Sequence, residues 1–458
     1  MFILPGLVAL VTFIYARPLD FVSALRELPL LYVFFFLAAL GFLIDLSQSQ
    51  RKICSKSQLR WVIVFYGWCI FTAGIKYFGS LSTSWLPLTI AISIYVLIAL
   101  GLSSFKAFEF LAATILACTL WISAVCVHQG MQPLQCIAFL PTADASPGHP
   151  DGRPCEIAET CSLNAPEPGA DYRCDRVGLF DITSIGNGRV RYIGVLQDPN
   201  EAAMTVAIGI PLAFAFFQRK RTAIRFVVAV TAFLLAAITV VMSKSRGGQL
   251  VFLAVLAVYF FKRYRWKGLL LAAIIMLPVV AMGGREGEEA DSSATERLDN
   301  LMVGLLLFAH SPVVGVGMSR FTEYHNLTAH NSYVLAAAEL GIIGMVAWLS
   351  ILFASFKVAY RSLTLITGPE SEVARIWGLA MLSALTGLSV GIFFLSFNYH
   401  YVFWIYMGMT AALAGAVARR FPHFQADVTR REVGLLTLGG LLLLVLVFVY
   451  VKYKLGRG

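Results

Sequence analysis

The stretch "TAHNSYVLAAAELGIIGMVAWLSILF", residues 328–353, sets His330 and Asn331 at the mouth of an apolar run whose one charge is Glu339. A run of about 20 apolar residues crosses the hydrocarbon core of a bilayer as a helix. Similar runs recur at roughly 2–16, 29–45, 61–79, 85–103, 107–127, 198–217, 226–243, 248–261, 268–283, 331–355, 376–397, 401–418 and 434–451. Of the 458 residues, 58% are hydrophobic and 14% charged. A soluble domain carries about 25% charged residues. The runs lack the two-residue alternation of a barrel strand, so helices must satisfy the backbone in lipid. The expected fold is an all-α polytopic membrane protein of roughly 12–13 transmembrane helices. The opening "MFILPGLVALVTFIYA" lacks a basic start and reads as a first span or a part of one, not a cleavable leader.

A net charge of +10 invites a nucleic-acid reading. The placement of the basic residues argues against it. They lie in short clusters between runs: "QSQRKICSKSQLR" (48–60), "QRKRTAIR" (218–225), "KRYRWK" (262–267), Lys357 with Arg361 and Arg375, and Arg419, Arg420, Arg430 and Arg431. When the spans alternate, every cluster falls on one side, the signature of cytoplasmic loops. The N-terminus is then cytoplasmic, and two long loops, about 128–197 and 284–330, lie outside. The chain divides into N-terminal spans (1–127), a Cys-rich outer loop (128–197), central spans (198–283), a second outer loop (284–330) and C-terminal spans (331–458). One feature disagrees. The last run places Lys452, Lys454 and Arg457 outside, so either the tail is external or that run does not fully span.

The first outer loop holds Cys136, Cys155, Cys161 and Cys174. In an oxidising compartment they predict two disulfides, with three pairings open. The absence of a CxxC pair argues against zinc. The loop is otherwise rich in Pro, Gly and Asp, as in a stapled cap.

Charges near bilayer depth mark function more often than not. Arg191, in "GNGRVRYIGVLQDPNEAA", stands just ahead of a helix start formed by Asp198, Pro199 and Asn200. Arg246 stands in "SKSRGG" (243–248), where two spans meet with almost no loop. Lys244, Ser245, the glycines and the free N–H groups of the next helix make that turn a candidate anion cradle. Arg297 leads an apolar face of Leu298, Leu301, Met302 and Leu305, an amphipathic helix lying along the outer surface. Asn331 is suited to cap the helix that follows it. Arginines bind a diphosphate as planar forks, and a neutral histidine accepts a proton from a hydroxyl near pH 7. The set describes displacement of a diphosphate by a sugar hydroxyl.

From about 186 to 360 the chain resembles the O-antigen ligase and O-antigen polymerase superfamily of bacterial inner-membrane glycosyltransferases. The resemblance rests on Arg191, Gly194, Pro199 and Asn200, on Ser245-Arg246-Gly247, on Arg297, on Pro312, Gly315 and Gly317, and on His330-Asn331-x-Tyr333 with Glu339, Gly341 and Gly344. It implies a glycan donor carried on undecaprenyl diphosphate, held by Arg191 and Arg246 on the periplasmic face. His330 would activate the acceptor hydroxyl, with inversion at the anomeric carbon. Arg297, Asn331, Lys244, Ser245 and Asn200 would complete the substrate site. No metal or other cofactor is implied. The partners are the lipid-linked donor, an acceptor and membrane lipids. The motifs do not distinguish a ligase acting on lipid A core from a polymerase or a protein glycosyltransferase. A lipid-linked-glycan transporter is the reading from another class; its paired halves are not evident in the sequence, and the polar residues crowd the outer face instead of the midplane.

Overall fold

The computed structural model describes residues 1–48, 56–76, 78–139, 148–163, 166, 169–186, 188–284, 288–364 and 368–456. Part of the basic stretch 48–60, and Arg457, lie outside the described residues. The helices are α1 (Ile3–Ala16), α2 (Leu30–Gln48), α3 (Lys56–Lys76), α4 (Phe78–Gly101), α5 (Phe105–Met131), α6 (Ala158–Ser162), α7 (Pro199–Arg219) and α8 (Ala223–Met242). Then follow α9 (Arg246–Tyr264), α10 (Trp266–Met282), α11 (Glu288–His310), α12 (Ser332–Thr364), α13 (Glu372–Gly391), α14 (Tyr401–Arg420) and α15 (Arg430–Leu455). Among the described residues, nine helices are long and apolar enough to cross a membrane, and three shorter apolar helices accompany them. Each expected span falls on a helix, and the expected amphipathic helix is α11. The chain forms two compact units: residues 1–10, 34–112 and 286–458, and residues 11–33 and 113–285.

In the first unit α12 is the buried axis, packed by α3, α11, α13, α14 and α15. Gln58 is buried among these helices and donates to Ser355 Oγ at 2.7 Å and the Met407 carbonyl at 3.2 Å, as a polar group in lipid must. At the basic end, Lys357 Nζ reaches Glu432 Oε1 at 2.6 Å. Glu432 also closes a capping box with Thr429 that starts α15. The final run, left open above, is one continuous helix of 26 residues, enough to cross a bilayer. Leu435, Leu438, Leu442 and Val449 on α15 are exposed, an apolar surface suited to acyl chains.

α12 is not one straight helix. Gly341 has φ 63° and ψ −168°. The break leaves backbone groups without helical partners, and the turn after α11 supplies them. Val316 N–H donates to the Ala338 carbonyl and Gly317 N–H to that of Glu339, both at 2.9 Å; Ile342 N–H donates to the Pro312 carbonyl at 2.8 Å. Trp68 Nε1 donates to the Leu340 carbonyl at 2.8 Å. A Cβ on Gly315 would lie 2.3 Å from the Glu339 carbonyl, and one on Gly341 would lie 2.2 Å from that of Val313. The Pro-x-x-Gly-x-Gly and Glu-x-Gly-x-x-Gly motifs are thus two halves of one backbone junction.

The second unit packs α7 against α8 and α9, and α9 against α10. Gly248 lets α9 approach α7 closely, since a Cβ there would lie 2.6 Å from Ala203 Cβ. The first outer loop, read as a stapled cap, contains an antiparallel sheet of β1 (Leu134–Phe139), β2 (His149–Pro154) and β3 (Asp171–Arg176) in the order β2-β1-β3. β2 carries Pro150 and Pro154, which an edge strand tolerates and which hide its strand signature. Disulfides join Cys136 to Cys161 and Cys155 to Cys174.

Candidate active site

In the second unit two segments converge at the end where α7 and α9 begin. Asp198 caps α7 by accepting from Asn200 N–H at 2.6 Å, and its Oδ1 also takes Asn200 Nδ2 at 2.7 Å. Ser245 caps α9 by accepting from Gly248 N–H at 2.9 Å. Its hydroxyl donates to Asn200 Oδ1 at 2.6 Å. Arg189 Nε donates to the Ser243 carbonyl at 3.1 Å, and Val190 N–H to that of Met242 at 3.2 Å. The loop that carries Arg191 is therefore fastened to the turn that carries Lys244 and Arg246. Lys244 has φ 50° and is exposed, as is Arg246. The buried side chains of Asn200 and Ser245 join each other and orient the two helix starts.

Arg191 is half-buried, and its guanidinium is oriented by Thr183: Nε donates to the carbonyl at 2.8 Å and Nη2 to Oγ1 at 3.1 Å. Gln129, near the end of α5, accepts from Arg191 N–H at 2.9 Å and donates to the Ile182 carbonyl at 2.7 Å. Burial lowers the Arg191 pKa from its ordinary value, and the neighbouring Asp175 opposes that shift. Such a group gains from a dianion that replaces lost solvation.

The same unit holds a cavity of about 670 Å³ lined by Arg191, Gly194 and residues from the short link between α1 and α2. Sequence reasoning passed over that link, "RPLDFVSALREL" (17–28). Arg17 forms a salt bridge with Asp20 at 3.1 Å and covers Gly194, where a Cβ would lie 2.5 Å from Arg17 Nε. Arg26 Nη2 donates to the Asp20 carbonyl at 3.2 Å. The signal was available: alternation of the spans puts this link on the same side as Arg191.

In the first unit His330 precedes α12 with φ 47°, a strained value for a residue with a Cβ. It is half-buried beside the fully buried Asn331. Asn331 Oδ1 accepts from Tyr333 and Val334 N–H, both at 3.0 Å, and Nδ2 donates to the Phe393 carbonyl at 3.0 Å. Ser332 Oγ donates to the Leu395 carbonyl at 2.7 Å, and Asn398 Nδ2 to that of Ser332 at 2.9 Å. The backbone under His330 is thus fixed by the link between α13 and α14. Glu339 is buried and accepts from Phe321 N–H at 3.1 Å and from the Tyr399 hydroxyl at 2.7 Å. It ties the loop before α12 to the link before α14. Arg297 is half-buried on α11. The expected site residues therefore divide. Arg191, Asn200, Lys244, Ser245 and Arg246 belong to one unit; Arg297, His330 and Asn331 belong to the other.

The fold is that of a polytopic helical membrane protein, with Arg246 at a helix start in one unit and a strained His330 ahead of a helix in the other. Residues 231–349 match the family model described as O-antigen ligase, the superfamily that the motifs resemble. That stretch is similar to proteins of the O-antigen ligase and polymerase type, a class of glycosyltransferase-like membrane enzymes. The matched stretch contains Arg246, Arg297, His330, Asn331 and Glu339, and leaves Arg191 and Asn200 outside. No curated protein matches the chain.

Proposed function

We propose that the protein transfers a glycan from undecaprenyl diphosphate to an acceptor hydroxyl, in the manner of an O-antigen ligase with lipid A core as acceptor. The observation that carries this reading is the fastening of the Arg191 loop to the Ser245-Arg246 turn through Asn200, which sets two arginines at one end of one unit. In the proposed reaction Arg191 and Arg246 hold the diphosphate. His330 takes the proton of the acceptor hydroxyl, whose oxygen attacks the anomeric carbon. The bond from that carbon to the phosphate oxygen breaks, and undecaprenyl diphosphate departs with the electron pair. Configuration inverts. Guanidinium charge stabilises the leaving group as it develops, so the scheme needs no metal ion. Asn331, Asn200 and Ser245 act as positioning residues, and Lys244 and Arg297 supply further positive charge to the substrate. The chain lies in the bacterial inner membrane with its basic loops in the cytoplasm and this chemistry at the periplasmic face, by the charge rule above.

The test uses purified protein with undecaprenyl-diphosphate glycan and two acceptors offered separately, lipid A core and a second lipid-linked glycan. Transfer to lipid A core that His330→Ala abolishes supports the ligase. Chain growth without lipid A assigns a polymerase. Transfer that survives His330→Ala removes the histidine from the chemistry.

A further inference from the structure

The cavity beside Arg191 is built from three separate segments, and its lining is not that of a simple anion site. Arg26 and Arg191 stand among Asp20, Asp181, Gln197 and Phe180. Two guanidinium groups and two carboxylates line the cavity, and one of the carboxylates, Asp20, is paired with Arg17 beside it. Carboxylates accept hydrogen bonds, guanidinium groups donate them and an amide does both, which is the complement a ring of hydroxyls requires. Phe180 stacks on Phe21 with centroids 4.4 Å apart, giving an aromatic face beside the polar groups. Such a face attracts the polarised C–H groups of a sugar ring. The volume, about 670 Å³, lies in the range of small-molecule sites.

The backbone here is held in costly geometry. Phe180 and Asp181 have φ 58° and 57°, two successive non-glycine residues in the left-handed region. Gln129 fixes the next carbonyl, at Ile182, and Arg191 grips Thr183 beyond it. The residues that hold Phe180 and Asp181 in place are thus the ones that orient Arg191. From this we infer that the cavity is a saccharide subsite, formed by the α1–α2 link and the disulfide-stapled loop, which binds a sugar ring next to the group held by Arg191. The inference deepens the diphosphate reading and rests on it only for what Arg191 holds. The sugar is either the first residue of the lipid-linked donor or a residue of the acceptor.

The experiment uses the full chain in lipid nanodiscs and three probes: undecaprenyl diphosphate, the same lipid bearing one N-acetylhexosamine, and a free N-acetylhexosamine disaccharide. Phe180 is 44% exposed, so Phe180→Ala empties no buried core position. Asp181→Asn keeps a residue that tolerates the left-handed region. Both variants are expected to weaken the sugar-bearing lipid by about tenfold and to leave bare undecaprenyl diphosphate unchanged, with Phe180→Tyr restoring affinity. A loss confined to the free disaccharide also supports the subsite and assigns it to the acceptor. Unchanged binding of both sugar probes, or equal losses on bare and sugar-bearing lipid, overturns it. If the wild-type chain fails to hold bare undecaprenyl diphosphate, the diphosphate reading falls, and the disaccharide arm still decides the subsite.

Discussion

Ser245 and Asn200, 45 positions apart, share a hydrogen bond of 2.6 Å between two helix starts. Each also serves its own helix: Ser245 as the cap of α9, Asn200 as a partner of the Asp198 cap of α7. Replacing Ser245 by alanine removes a cap, about 1 kcal/mol, and leaves the buried Asn200 oxygen unsatisfied, about 1–3 kcal/mol more. The expected result is a lower unfolding temperature in detergent, with Ser245→Thr close to wild type. Equal stability of all three proteins would refute the bond.

Arg191→Ala and Arg246→Ala are expected to insert normally and to lose activity. Loss of one preorganised charge contact costs about 3–4 kcal/mol, on the order of a hundredfold or more in rate. Transfer assays on membranes with matched protein content give the comparison. Near-normal turnover in either variant removes that arginine from the diphosphate site.

His330→Gly separates stability from chemistry. The backbone at φ 47° is relieved without its Cβ, a gain of about 1 kcal/mol, while the proposed base is lost. Thermal unfolding should rise and transfer should vanish. Asn331→Ala should do the reverse to stability, costing about 1 kcal/mol for the cap. A histidine variant that keeps full transfer would assign residue 330 to the mouth of the helix alone.

Gly315→Ala and Gly341→Ala each push a methyl group into the backbone of the opposing segment, at φ 69° and 63°. Either should destabilise the first unit by at least about 1–3 kcal/mol. The double variant should cost less than the sum, since both damage one junction. Strict additivity in denaturation measurements would show that the two glycines act separately.

The helices were readable because lipid imposes a length and excludes charge. The helix starts were readable at Asp198-Pro199-Asn200, at Ser245 and at Asn331, where the cap chemistry is local. What escaped was tertiary. The strand at His149–Pro154 is disguised by its prolines. The sequence offers a nearby arginine or His330 as partner for Glu339, although nine residues from His330 place it on another helix face. Its carboxylate instead takes Tyr399 from a link 60 residues away, which periodicity cannot find. Arg17 and Arg26 were overlooked because they sit in an unremarkable short link, and only the fold brings that link to the cavity of Arg191.

The two disulfides interleave along the chain: Cys136 with Cys161, Cys155 with Cys174. A loop oxidised in order of emergence would join Cys136 to Cys155 first, since Cys155 is the loop's second thiol to appear. The native pairing therefore depends on strand assembly preceding oxidation, or on a thiolate catalyst that reopens the early bond by exchange. In an oxidising compartment, a cell that oxidises thiols without correcting them would then accumulate inserted but misbridged protein.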